Sequence, residues 1–140
     1  MKIVVDDKGF DIDGHRLIYD LYHFESEQYD AVTLAATFKK ILITWANVLR
    51  ESNIENGELF LPYALDDEWT ECLKAVQQDD RIVLRYTRVA ENGWAINVSH
   101  LEEFMTSTHV VDKEANEVFG DYDKDEFIAA LIDAQIIIDG

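Results

Sequence analysis

Hydrophobic and polar positions follow two rhythms along this chain, and each rhythm predicts a different kind of element. From Asp30 to Arg50, Leu34, Phe38, Ile41, Trp45 and Val48 recur at spacings of four and three, flanked by Ala31, Ala35, Leu42 and Leu49. That period gathers the apolar residues into one stripe and predicts a helix that buries Trp45. Asp30 is its expected N-cap, and Arg50 lies in the last turn, where a cation suits the helix dipole. From Asp80 to Ser99 the period is two. Runs rich in Ile, Val, Tyr, Thr and Trp flank Glu91-Asn92-Gly93, which predicts a β-hairpin about that turn. A three-residue loop with Gly93 left-handed aligns Ile82, Leu84 and Tyr86 with Trp94, Ile96 and Val98, leaving Arg81, Arg85, Asn97 and Ser99 outside. A two-residue loop would pair Glu91 with Trp94, slip the register by one and put Arg85, Thr87 and Val89 on the face of Trp94, Ile96 and Val98. Arg88, on the inner face near the turn, fits the preferred register worst.

The other elements take their places around these two. Lys2–Val5 and Phe10–Ile12 read as short strands, with turns at Asp7-Lys8-Gly9 and Asp13-Gly14. His15–Phe24 fits a helical face and an alternating strand alike, and its aromatics favour the strand. Glu58–Ala64 is a strand carrying Pro62, the one proline; lacking an N–H, it belongs at a sheet edge or a bulge. Asp66-Asp67-Glu68 opens a predicted helix running to about Gln78, with Trp69, Cys72, Leu73 and Val76 inward. His100–Ser107 predicts a short helix with Leu101, Phe104 and Met105 on one side, and His109-Val110-Val111 a further strand. Asp123-x-x-Glu126 has the form of a capping box for a last helix carrying Phe127, Ile128, Leu131, Ile132 and Gln135. Ile136-Ile137-Ile138 extends it as a docked apolar tail. The order predicts an α+β fold: an antiparallel β-sheet organised around a central hairpin, with helices packed mainly on one face. Residues 1–140 suit a single globular domain with a real core.

Charge alters this picture. There are 29 acidic residues against 12 basic ones, a net charge of −17, while hydrophobic residues at 48% exclude disorder through low hydrophobicity. Such a field repels phosphate backbones and anionic membranes, so no direct nucleic-acid or membrane binding is expected. It steers the protein toward a cationic protein partner. Two segments lack compensation. Glu51–Leu73 contains no Lys or Arg, and Asp112–Glu126 sets Lys113 and Lys124 against seven carboxylates. The expected partner-binding residues are therefore Asp66, Asp67, Glu68, Trp69 and Glu71 in the first, and Glu117, Asp121, Tyr122, Asp123 and Asp125 in the second. Trp69 and Tyr122 are the candidate aromatic anchors. Arg81, Arg85 and Arg88 hold a quarter of the basic charge in one strand, where pairing with carboxylates across the sheet accounts for them.

Little in the chain points to catalysis. The single Cys72 permits no intramolecular disulfide and indicates a reducing compartment, and on a predicted inward stripe it reads as a buried inert thiol. The N-terminal apolar run is too short for a signal peptide and no run reaches the length of a membrane span, so a cytoplasmic location is expected. His15, His23, His100 and His109 are scattered outside any ligand spacing. Asp121-Tyr122-Asp123-Lys124-Asp125 opens like a calcium loop, but Glu126 stands where glycine makes the turn and Ile132 where a bidentate Glu is required. There is no GxGxxG, Walker loop or GxSxG. No catalytic residue, metal or cofactor is expected, and the chain does not read as an enzyme.

Size, acidity and the ending FGDYDKDEFIAALIDAQ, an acidic stretch followed by an amphipathic helix, resemble the immunity proteins of bacterial toxin systems, including contact-dependent inhibition. The resemblance implies a binding module that neutralises a cognate toxin, often a basic nuclease, by covering its active site or a nearby surface. Two alternatives stand beside it. One is an acidic mimic of nucleic-acid charge that binds DNA- or RNA-handling proteins; the other is a small enzyme acting on a cationic substrate beside the hairpin.

Overall fold

The computed structural model describes residues 2–5, 8–11, 31–51, 57–65, 69–90 and 101–137. The chain begins with β1 (Lys2–Val5) and β2 (Lys8–Asp11), then a 21-residue helix α1 (Ala31–Glu51). Three strands follow: β3 (Glu58–Leu65), β4 (Thr70–Gln78) and β5 (Arg81–Val89). After them come α2 (Leu101–Thr106), β6 (Val111–Asp123), α3 (Lys124–Ile132) and β7 (Gln135–Ile137). The fold is α+β, with helices packed on antiparallel sheet. Its strands form two sheets, a four-stranded meander in the order β3-β4-β5-β6 and a three-stranded sheet in the order β2-β1-β7.

The long helix forms where its period places it. Phe38, Ile41, Leu42, Trp45, Ala46 and Leu49 are buried along one stripe, Trp45 completely. Asp30, its expected cap, lies outside the described residues, as do Asp13-Gly14 and the ambiguous 15–24. That stripe joins Leu59, Leu61, Leu73, Ala75, Ile82, Leu84, Phe127 and Leu131 in one hydrophobic cluster, which also takes in Ile3 and Val5 of β1. Burial of this apolar area is the main favourable term in such a fold. The helix α1 packs against α2 and α3, and α2 also against β3. Lys39 of α1 donates from Nζ to the carbonyls of Ile132 and Ala134, where α3 ends and its last carbonyls lack helical partners. The expected apolar tail is docked as β7, paired antiparallel with β1.

Two predicted elements are different in the structure. The segment expected as a helix from Asp66 to Gln78 is strand β4 from Thr70 onward. Its apolar residues, spaced by three and four, satisfy a strand because both faces are buried near its start: Thr70 and Cys72 on one, Leu73 and Ala75 on the other. The central hairpin is likewise one strand earlier than expected. β5 pairs with β4 along its whole length through the two-residue turn Asp79-Asp80, and its other edge is taken by β6. The expected second strand, 94–99, lies outside the described residues. Asp79 adopts a left-handed φ of 56° to make the turn, and Gln77 Nε2 donates to its carbonyl at 2.8 Å.

Pro62 behaves as its chemistry requires. β3 is an edge strand, and its pairing with β4 slips between Pro62 and Ala64, so Tyr63 occupies a bulge. The opposite edge, β6, is irregular too. Its register against β5 shifts at Leu84/Arg85, at Arg85/Thr87 and at Arg88/Val89. Bulges and charge on an edge strand hinder edge-to-edge pairing with a second copy. Among the described residues, no helix is long and apolar enough to cross a membrane.

Candidate functional site

The structure separates the expected binding residues into two groups. The first lies where β6 runs into α3, and its acids have structural work. Asp121 pairs with Arg81, Oδ1 accepting from Nε at 2.9 Å, and the Arg81 guanidinium also donates to the Asp121 carbonyl at 3.2 Å. Asp123 is the N-cap of α3, its Oδ1 accepting from the Glu126 N–H at 3.1 Å, as the capping-box spacing predicts. Asp125 is exposed in the first turn of that helix, where a carboxylate suits the dipole. Tyr122, expected as an aromatic anchor, is a core residue instead. Its ring stacks on Phe127 with centroids 5.1 Å apart and an angle of 28°, and Phe119 flanks it at 6.4 Å. Two features put it there. It pairs in register with buried Ile82, and its ring lies over Gly120, which offers no side chain in the way.

The second group converges at the start of β4. Asp66, Asp67 and Glu68 lie outside the described residues. Trp69, immediately before β4, is half-buried, and the guanidinium of Arg88 lies over its ring with Cζ 4.2 Å from the centroid. Glu71, also half-buried, is the register partner of Arg88 on β5. Tyr86, two residues before Arg88 and on the same face, meets Phe119 edge-to-face at 5.8 Å. Glu117 reaches the cluster from the bulged stretch of β6 between Val118 and Glu114, and is exposed. Tyr63 reaches it from the bulge of β3. Tyr63 and Glu117 thus both stand at irregular positions of the strands that flank β4 and β5, and the Glu117 charge is felt at the Tyr63 phenol.

The electrostatics follow from that convergence. Tyr63 is buried, and its phenol pKa is pushed well above the usual tyrosine value, first by burial and then by the Glu71 carboxylate, with Tyr86, Cys72 and Glu117 adding to it. A neutral phenol is favoured because deprotonation would put another negative charge beside two carboxylates. Above the buried Tyr63, the accessible part of the cluster therefore combines Glu71 and Glu117 with the half-buried rings of Trp69 and Tyr86, and one guanidinium, Arg88, already lies within it. Such a surface suits cations.

Sequence reasoning reached Trp69, Glu71 and Glu117 but not Tyr63, Tyr86 or Arg88. The misfit of Arg88 in the expected hairpin is the available signal: it pairs in register with Glu71 of β4 and stacks on Trp69. Cys72 is buried, with Sγ 3.7 Å from the Thr70 carbonyl. His109 is held by packing, its ring 4.2 Å from that of Phe104 and 5.0 Å from that of Phe60, with Nε2 2.6 Å from the Phe104 carbonyl. Among the described residues, no three His, Cys, Asp or Glu side chains are disposed to hold a metal ion. No protein-family model, curated protein or solved structure matches this chain.

Proposed function

We propose that this protein is an acidic inhibitor module, an immunity protein that neutralises a basic, nuclease-type toxin domain by binding it. The observation that carries this reading is the placement of Glu71 and Glu117 within electrostatic reach of the buried Tyr63, at the end of the sheet where Trp69 is stacked by Arg88, in a chain with net charge −17. Long-range charge would speed encounter with a cationic domain, and a carboxylate-aromatic cluster would supply the local anchor. The acids at the start of α3 then serve the fold, while Glu71 and Glu117 serve the partner.

Calorimetry with a toxin domain encoded immediately upstream tests this. Binding is expected, and the double reversal Glu71→Lys with Glu117→Lys weakens it by about a hundredfold, as loss of close interfacial charge pairs does. Absence of binding to any neighbouring toxin, or affinity indifferent to the double reversal, overturns the reading. So does salt-sensitive binding to many unrelated nucleic-acid-handling proteins, which would mark a charge mimic instead.

A further inference from the structure

We propose that Trp69 and Glu71 form a seat for a guanidinium group, filled in the free protein by Arg88 and taken by an arginine of the partner on binding. This rests on the cationic-partner reading above and names the group recognised. The seat is visible with an occupant. Arg88 Cζ lies 4.2 Å over the Trp69 ring, and β4–β5 pairing sets Arg88 directly across from Glu71. Arg88 and Trp69 are both half-buried, so the stack lies at the surface, within reach of an incoming side chain. A planar guanidinium stacks on indole and bonds a carboxylate in the same plane, which an ammonium cannot do. An occupant supplied in cis keeps Trp69 covered in the free protein. It also lowers the apparent affinity for an outside arginine, because only the fraction of molecules with Arg88 displaced can accept one.

The test uses the full chain and tetra-arginine amide as the probe, by calorimetry at near-physiological salt. Arg88→Gln is expected to bind the probe about fivefold more tightly than the natural protein, by vacating the seat. Arg50→Gln, the same charge change at the exposed end of α1, is expected to alter affinity less than about twofold, because distant surface charges are screened. Arg88→Lys retains charge and stem and keeps the test open if Arg88→Gln fails to fold; its weaker stacking should tighten binding about twofold. Adding Trp69→Ala to either variant should abolish the gain. If neither Arg88 variant binds more tightly than Arg50→Gln, the seat is overturned. If binding falls on reversal of Glu71 and Glu117 but ignores Arg88, only the seat fails. If it ignores those reversals as well, the cationic-partner reading fails with it.

Discussion

The ring of Tyr122 lies across Gly120, two residues earlier on the same strand, so that a Cβ on Gly120 would overlap its Cε2, Cζ and hydroxyl. The glycine gives an aromatic on an edge strand room to fold back into the core and stack on Phe127. Gly120→Ala must therefore push the ring off its packing. A loss of about 2 kcal/mol, in the range of overpacked cores, is expected in urea denaturation. An unchanged midpoint would show that the ring moves at no cost.

The acids of the β6–α3 corner should behave as parts of the fold. Asp123→Ala removes the helix cap and is expected to cost about 1 kcal/mol. Asp121→Ala breaks a pair whose side chains are 53% and 55% exposed, and should cost less than about 1 kcal/mol. Asp125→Ala, which loses only a dipole contact, should cost a few tenths, about 0.3 kcal/mol. Thermal melts rank the three, and a ranking led by Asp125 would contradict the cap.

Tyr63 gives a pH dependence of definite sign. Its folded pKa is raised, so its contribution is intact below the ordinary tyrosine range near pH 10 and is lost as pH rises toward the folded value. Above pH 10 the unfolded chain releases this proton while the folded chain holds it, and stability falls by up to about 1.4 kcal/mol per pH unit. Tyr63→Phe has no proton to release. Urea unfolding at successive pH values from 9 to 11 should show the natural protein losing ground to Tyr63→Phe, and parallel curves would refute the assignment.

The β4–β5 turn carries a correctable strain. Asp79 holds a φ of 56°, which glycine adopts without a Cβ penalty. Asp79→Gly is expected to raise stability by about 0.5 kcal/mol, and Asp79→Val to lower it by more than about 1 kcal/mol. Denaturation midpoints that move the other way would place the turn elsewhere.

That turn also explains what could be read from the sequence and what could not. The long helix, the short helix at Leu101–Thr106, the cap at Asp123 and the edge position of Pro62 each follow from a local rule, and each stands in the structure. The β4–β5 hairpin is not announced by its sequence, because Asp79-Asp80 has no glycine to mark its left-handed residue, whereas the stronger turn chemistry of Asn92-Gly93 lies outside the described residues. β4 read as a helix because Cys72 and Leu73 are both buried, on opposite faces, which erases the alternation that marks a strand. The candidate site was legible only in part. Glu71 and Glu117 stand out as uncompensated charge, but that both act on Tyr63 depends on strand order and on two bulges, which no local pattern encodes.

The pairing of β1 with β7 has a consequence for how the molecule comes into being. The four-stranded meander can zip from neighbour to neighbour as it leaves the ribosome: β3–β4 and β4–β5 close loops of four and two residues, and β5–β6 a connection of 21 residues that includes α2. The smaller sheet cannot. Ile3 meets Ile136 only when a loop of about 130 residues closes, a contact of high sequence separation whose entropy must be met late. During synthesis β1 therefore waits with one edge bare. Its seam with β7 should be the last to form on refolding and the first to exchange its amide hydrogens.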